Sequence, residues 1–338
     1  MKAVFDETQK IPLLAVVGST ASGKSRLAVE LAKTLNGEVV SCDSMQIYRR
    51  MNIGTAKPTE AEMEGVAHHL IDFVPPEVPF SCADYVSAAR ETVAEIFSRG
   101  KLPILCGGTG LYLERLLHGG GDAEESEPNL EIRAKWQAYA ETNGNHALHE
   151  RLREVDPASA DAVHENNVHR VIRALEIFET TGIPKSEWDR RSKSLESDYD
   201  YAVIGLRYED RQLLYRRIED RVDLMMEMGL LGETETLMRE GVFEQNATAA
   251  QAIGYKELLA HLRGEESFDA AVERLKIATR RYAKRQITWF SAKDYVEWIA
   301  ADENGARRAE EAILADALEI VTAKWSGGLP FGVKRTFD

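Results

Sequence analysis

Gly18-Ser19-Thr20-Ala21-Ser22-Gly23-Lys24-Ser25 satisfies G-x-x-x-x-G-K-S/T, the pattern of a phosphate-cradling loop. Its flanks carry as much weight as the motif. Leu13-Leu14-Ala15-Val16-Val17 before it is a continuous apolar run, as a parallel strand buried on both faces requires. Leu27, Leu31 and Leu35 after it recur four apart, one stripe of an amphipathic helix. A loop between such a strand and such a helix aims backbone N–H groups, and the positive end of the helix, at an anion. Lys24 adds a point charge for the terminal phosphate, and Ser25 offers a hydroxyl to Mg²⁺. The alternative is a Gly-rich turn with a chance Lys-Ser; strand, loop and helix all agree against it. The expected fold is α/β: a P-loop NTPase-like core whose parallel sheet is flanked by helices.

Composition sets the bounds. The 338 residues are 44% hydrophobic and 29% charged, the profile of an ordinary globular chain. Cys42, Cys82 and Cys106 form no C-x-x-C pair and are odd in number, which suits a reducing compartment. No apolar run has membrane-spanning length, and Met1–Glu7 lacks a secretory apolar core, so a cytoplasmic protein without a membrane partner is expected. The net charge of −14 argues against nucleic acid when taken alone. Its distribution argues otherwise. Arg274, Lys276, Arg280, Arg281, Lys284 and Arg285 form a basic stretch with no acid inside it, while Asp122 to Glu131 is acidic. Local patches decide contact with phosphate backbones.

Along the chain, residues 1–10 read as a polar tail and 11–122 as the first part of the core. Glu38-Val39-Val40-Ser41 is a second strand that ends at Asp43. Ligands of open parallel sheets sit beyond the carboxyl ends of strands, so Asp43 is placed near the phosphates or whatever attacks them. Capping of the next turn is the competing reading. Leu102–Cys106 is another buried strand and runs into Gly107-Gly108-Thr109-Gly110. Thr109 there is either a site hydroxyl or the cap of the helix Leu111–Leu117. His68 and His69 are adjacent and lack a second pair at metal spacing, which marks them as structural. Gly119-Gly120-Gly121 and the acidic run to Pro128 form a hinge, and 123–200 reads as an all-helical insertion. Tyr201–Leu206 returns the chain to the core, which extends over 201–300. A closing helix, Ala309–Val321, and a mobile tail, Trp325–Asp338, complete it over 301–338.

The strand before Gly107 ends without the acid that normally holds Mg²⁺ through water, and no N-K-x-D reads a guanine ring. The carboxylate stands instead at Asp43. That arrangement suggests transfer to an acceptor, with diphosphate as donor or leaving group. A P-loop kinase acting on a small molecule or nucleotide is the competing enzyme. An RNA-binding module with a vestigial loop leaves Asp43 and Thr109 at adjoining strand ends unexplained.

Seven segments taken together resemble the bacterial tRNA dimethylallyltransferase (tRNA isopentenylpyrophosphate transferase) family. They are Gly18–Ser25, Asp43–Tyr48, Ile53–Pro58, Gly107–Tyr112, Arg170–Glu176, Ile253–Lys256 and Lys284–Trp289, in order and at suitable spacing from about Leu13 to Trp298. Ser19 stands where that family usually has Pro and Ser25 where it usually has Thr; the hydroxyl survives. Beyond Trp298 there is no family motif.

The resemblance implies transfer of a dimethylallyl group from dimethylallyl diphosphate to N6 of the adenosine at position 37, just 3′ of the anticodon. The substrates would be tRNAs reading codons that begin with U. It implies that Gly18, Ser19, Thr20, Ala21, Ser22, Gly23, Lys24 and Ser25 hold the diphosphate, with Mg²⁺ on Ser25. Arg217 and Arg221, one turn apart, either help there or make surface ion pairs. Asp43 is the implied general base, Thr109 a group at the reacting centre and Lys24 the charge that stabilises the leaving diphosphate. Gln46 would pair with the adenine edge. The anticodon stem-loop would be contacted by Asp43, Ser44, Met45, Gln46, Thr109, Arg133, His169, Arg170, Arg173, Gly254, Tyr255, Lys256, Lys284, Arg285 and Gln286. A monomer is expected. A relative using free AMP as acceptor is disfavoured by the long basic surface.

Overall fold

The computed structural model describes residues 10–119, 129–193 and 196–326. Its contacts divide the chain into two units, Met1–Leu113 with Tyr199–Asp338, and Glu114–Asp198. The first unit holds a six-stranded parallel sheet in the order β3-β2-β4-β1-β5-β6. The strands are β1 (Ile11–Gly18), β2 (Gly37–Ser41), β3 (His68–His69), β4 (Leu102–Gly107), β5 (Tyr199–Arg207) and β6 (Val296–Ala300). A parallel sheet needs cover on both faces, and β1 and β4 accordingly carry unbroken apolar runs. The helices Lys24–Thr34 and Glu310–Lys324 bury Leu27, Leu31, Ile313 and Val321 in the core around β1.

The closing helix ends later than its periodicity suggests, and Trp325 is no part of a mobile tail. Its indole is buried and donates to Asp200 Oδ2 at 2.7 Å. The remainder of the expected tail from 327, the N-terminal tail to 9 and the hinge residues 120–128 lie outside the described residues. A short antiparallel hairpin absent from the sequence reading follows β6: β7 (Asp302–Glu303) and β8 (Ala306–Arg307).

The second unit is helical. Its long helix Leu130–Val155 breaks at Gly144, whose φ of 87° leaves the helical region. The helix Val168–Thr181 stops at Gly182, φ 71°. Val171, Leu175, Leu148 and Leu152 form its core. Among the described residues no helix is long and apolar enough to cross a membrane.

Register places the site. Val17 pairs with Gly107 and Ser41 with Cys106, so β1, β4 and β2 end side by side. The Cys42 N–H donates to Cys106 O at 2.8 Å, and Thr109 N–H donates to Cys42 O at 3.2 Å. A Cβ on Gly107 would overlap the Cys42 carbonyl, which is why glycine stands there.

At the opposite end of β2, Glu38 is 5% exposed and receives Lys101 (2.8 Å), His69 (2.7 Å) and Arg99 (2.6 Å). This bears out the structural reading of His69. Burial alone would raise the Glu38 carboxyl, but the bonds from Lys101, His69 and Arg99 override it and hold it at about 2. A depressed carboxyl contributes stability that is fully present above its unfolded value, 4.5, and is lost as pH falls through about 2. Glu38→Gln is expected to cost ~1–2 kcal/mol at pH 7. It should also flatten the acid limb of the unfolding curve, which denaturant titration between pH 7 and pH 2 would measure.

Candidate active site

The phosphate loop sits between β1 and the helix from Lys24, as its motif requires. Lys24 Nζ donates to Ser19 O at 3.2 Å, so the ammonium folds back over the loop. Burial pushes it below the ordinary lysine value. Two distant residues brace the loop. Arg217 Nε donates to Ala21 O at 3.1 Å, and Thr20 N–H donates to Gln286 Oε1 at 2.8 Å. The other end of that amide, Gln286 Nε2, donates to Gly108 O at 3.1 Å. Gln286 thus ties the phosphate loop to the second glycine-rich strand end.

A cavity of about 270 Å³ opens in front of the loop. Lys24, Ser25, Asp43, Arg221, Gly54, Ile253 and Lys256 are among the residues that line it. Arg221 is half-buried there. Desolvation pushes its guanidinium down, while Glu62 and Asp43 attract it without forming an ion pair. A desolvated cation facing a cavity favours an anionic ligand. Arg217, by contrast, has its Nε committed to the loop carbonyl.

Asp43 holds the turn that follows β2 and also lines the cavity. Its Oδ1 accepts the N–H groups of Met45 (2.9 Å) and Gln46 (3.3 Å), an Asx turn that fixes the side chain. Its Oδ2 takes no hydrogen bond from a described residue and is left for the cavity. Thr109 Oγ1 accepts Ser44 N–H at 3.1 Å. Its hydroxyl thereby holds the turn carrying Asp43 rather than capping its own helix. Gln46 also lines the cavity, but its amide is occupied: it accepts from Ser41 Oγ (3.2 Å) and donates to Ala56 O (3.1 Å) and Thr55 O (3.3 Å). An adenine edge would have to displace those bonds. Met45 packs against the core beneath the cavity.

Of the expected RNA contacts, Lys284 and Arg285 are exposed on the helix Phe268–Ser291, and Lys256 lies at the cavity. Tyr255 is fully buried, so its expected place on the RNA surface is corrected: its hydroxyl donates to Glu233 at 2.7 Å. Gln286 is likewise interior. Gly254 caps the helix Tyr255–Leu262 at φ 104°. In the helical unit His169 and Arg170 are exposed, whereas Arg133 and Arg173 converge on the buried Glu176 at 2.8 and 2.9 Å.

The basic stretch is also less basic than it reads. Arg274 pairs with Glu266, Lys276 with Asp223 and Arg280 with Glu219. Arg281, Lys284 and Arg285 carry no ion pair with a described residue.

Three site residues carry no motif. The Tyr282 ring lies in the cavity wall with the Arg285 guanidinium 5.5 Å from its centre, and burial, with Asp43 adding to it, pushes its phenol up. The Glu233 carboxylate accepts the N–H groups of Asn52, Ile53 and Gly54, fastening a loop of the cavity wall. Arg307 reaches the phosphate loop from β8. Only their distance in space marks them.

No group of three His, Cys, Asp or Glu able to hold a metal occurs among the described residues. The donor set, one hydroxyl beside an anion site, fits Mg²⁺, which binds through substrate phosphates and keeps several waters.

The sequence profile described as IPP transferase matches residues 46–293, and one described as isopentenyl transferase matches 11–76. The chain is 46% identical over 294 residues to a tRNA dimethylallyltransferase of Thermoanaerobacter sp. (strain X514), covering 87% of this chain and 93% of that one. It is 50% identical over 290 residues to that of Bacillus licheniformis, covering 86% and 91%. Among solved structures it resembles a tRNA isopentenylpyrophosphate transferase of Bacillus halodurans at TM-score 0.69 and 42% identity, covering 94% of this chain and 98% of that one. A eukaryotic dimethylallyltransferase captured acting on tRNA superimposes at TM-score 0.78 and 29% identity, over 92% of this chain and 80% of that one. The isopentenyl transferase profile takes in the phosphate loop and Asp43, the IPP transferase profile takes in the basic helix, and by these matches and the relatives the chain belongs to the IPP transferase family.

Proposed function

We infer that the protein is a transferase that moves a dimethylallyl group from dimethylallyl diphosphate to tRNA, at N6 of the adenosine at position 37. The observation that carries this is the cavity itself. It joins a phosphate-loop lysine and a half-buried arginine that forms no ion pair with a described residue to a carboxylate whose second oxygen takes no hydrogen bond from a described residue.

The diphosphate occupies the loop, with Lys24 and Arg221 supplying positive charge where negative charge develops as it leaves. Mg²⁺, held by the Ser25 hydroxyl and the diphosphate oxygens, supplies further neutralisation of that charge. The bond between the allylic carbon and the diphosphate oxygen breaks with its electron pair going to the diphosphate. The N6 lone pair forms the new C–N bond, and Asp43 Oδ2 takes the N6 proton. Thr109 holds the Ser44 amide and so the orientation of Asp43. The target base leaves its stack to enter the cavity, as enzymes acting on bases require.

The anticodon stem-loop is contacted by the exposed cations of the basic helix; His169 and Arg170 are exposed contact candidates in the helical unit. Replacing Arg281 and Lys284 together by Ala should weaken tRNA binding and reduce the slope of log K against log salt by roughly 1–2. Affinity for dimethylallyl diphosphate should not change. Filter binding across a salt series measures the first and calorimetry the second.

The deciding experiment incubates the protein and Mg²⁺ with labelled dimethylallyl diphosphate and either unmodified tRNA or AMP. Label is expected in tRNA at the adenosine beside the anticodon. Label in AMP alone would point to a nucleotide prenyltransferase, and consumption of ATP with no label transferred would point to a kinase.

A further inference from the structure

We propose that Arg307, which lies beyond both matched profiles, is a positioning residue that presents the Gly23 amide of the phosphate loop to the diphosphate. The inference rests on the diphosphate occupying that loop, as above.

The β7–β8 hairpin is a fixed support. Asp302 is 6% exposed and accepts the N–H groups of Glu209 (2.8 Å) and Asp210 (2.9 Å), just after β5. Ala301 N–H donates to Arg207 O at 2.8 Å, and Arg308 N–H donates to Ala301 O at 3.0 Å. Arg307 is thereby delivered to the outer side of the phosphate loop, away from the cavity wall.

From there Arg307 Nη1 donates to Ser22 O at 3.1 Å and to the Tyr208 hydroxyl at 2.8 Å, while Nη2 lies 3.4 Å from Glu310. Tyr208 is buried, and its ring centre lies 5.8 Å from the Arg217 guanidinium. Arg217 itself holds the preceding carbonyl, Ala21 O. Two guanidinium groups therefore grip consecutive carbonyls of the loop from behind, with Tyr208 between them.

Planarity of the peptide bond turns this grip into a statement about ligand binding. In a trans peptide the C=O and N–H point in opposite directions. With Ser22 C=O held toward Arg307, the N–H of the same peptide, that of Gly23, faces the inside of the loop. The neighbouring Ser22 N–H is committed to Ser19 O at 3.3 Å, so it competes for no ligand. Gly23 has φ 97°, the left-handed region that favours glycine, and the Arg307 guanidinium lies against its Cα. Without Arg307 the peptide is free to rotate, and the diphosphate must order it on binding, which lowers affinity.

The test titrates inorganic pyrophosphate with Mg²⁺ into the full chain by calorimetry. Arg307→Ala should weaken pyrophosphate binding roughly tenfold. It should raise the KM for dimethylallyl diphosphate by a similar factor, with kcat and the KM for tRNA within about twofold. Arg307→Lys keeps the charge but not the fork and should recover only part of the affinity. Added guanidinium ion should restore binding to Arg307→Ala. Arg308→Ala, at the neighbouring position, removes a pair with Asp316 (2.8 Å) on the closing helix and a bond to Ala300 O (3.0 Å), and should bind like wild type. Unchanged pyrophosphate affinity in Arg307→Ala, or wild-type affinity in Arg307→Lys, overturns the proposal. Wild-type protein that binds pyrophosphate in this Arg307-dependent way yet prenylates no tRNA sinks the proposed function and leaves the inference about the loop standing.

Discussion

Asp43→Asn is expected to lower kcat by about 10²–10⁴ while leaving the affinity for tRNA and for dimethylallyl diphosphate within about threefold. The substitution separates the two jobs of this side chain. Asn retains an Oδ1 that accepts from Met45 and Gln46, so the turn after β2 keeps its shape, as does the Ser44 amide on Thr109. Only the second oxygen changes, from a proton acceptor to an amide. Adenine N6 is a weak nucleophile because its lone pair is delocalised into the ring. Without a proton acceptor the new C–N bond must form to a nitrogen that keeps its proton into the transition state. Single-turnover measurement with both substrates bound isolates that step from binding and release. A rate within a factor of two of wild type would remove Asp43 as the base, and a matched loss of tRNA affinity would assign it to binding.

The parts of this site that were legible in the sequence are those built from neighbours along the chain. The phosphate loop needs only β1, a turn and a helix, and Asp43 needs only the end of β2. Periodicity and motif report such local geometry directly. What escaped is contact across the chain. Gln286 braces Thr20 from 266 positions away, and Arg307 holds Ser22 from 285. Neither residue type is unusual where it stands, so composition offers no sign of either. The basic stretch misled for the same reason. Its lack of internal acids was true, but Asp223, Glu219 and Glu266 fold against it and neutralise half its cations. Arg133 and Arg173 are likewise partners of one buried glutamate, whose role in joining two helices leaves no local trace. Trp325 has Gly-rich neighbours that suggest a tail, but its partner Asp200 is 125 positions away and leaves no local trace.

The same distinction bears on which loop residues serve chemistry and which serve shape. Thr109 and Gln286 stand in motif segments and look like ligand groups, yet their polar atoms are spent on the protein. Thr109 holds Ser44, and Gln286 holds Thr20 and Gly108. Arg221 looks like an ordinary helix-surface cation and instead lines the cavity, half-buried and in no ion pair with a described residue. Electrostatic preorganisation explains the pattern: a site that stabilises developing charge needs rigid dipoles and unpaired cations, and the bonds that make it rigid come from residues that never touch substrate.

Lys24→Ala should remove about 10²–10³ from kcat, with a further loss in kcat/KM, because the ammonium acts on charge that appears as the diphosphate departs. Its titration offers a second and independent reading. Burial lowers the Lys24 pKa from 10.5, so in the free enzyme the ammonium is lost at a pH below the ordinary lysine range. Above that point the loop loses one positive charge, and affinity for the diphosphate falls. A bound diphosphate favours the charged form and moves the pKa back up. The alkaline limb of kcat/KM, which reports the free enzyme, should therefore lie at lower pH than the limb of kcat, which reports the complex. Lys24→Arg keeps its charge throughout this range, so the alkaline fall in its residual kcat/KM should disappear. Coincident limbs in wild type, or an alkaline limb that persists in Lys24→Arg, would show that another group titrates there and that Lys24 is not the charge governing diphosphate binding.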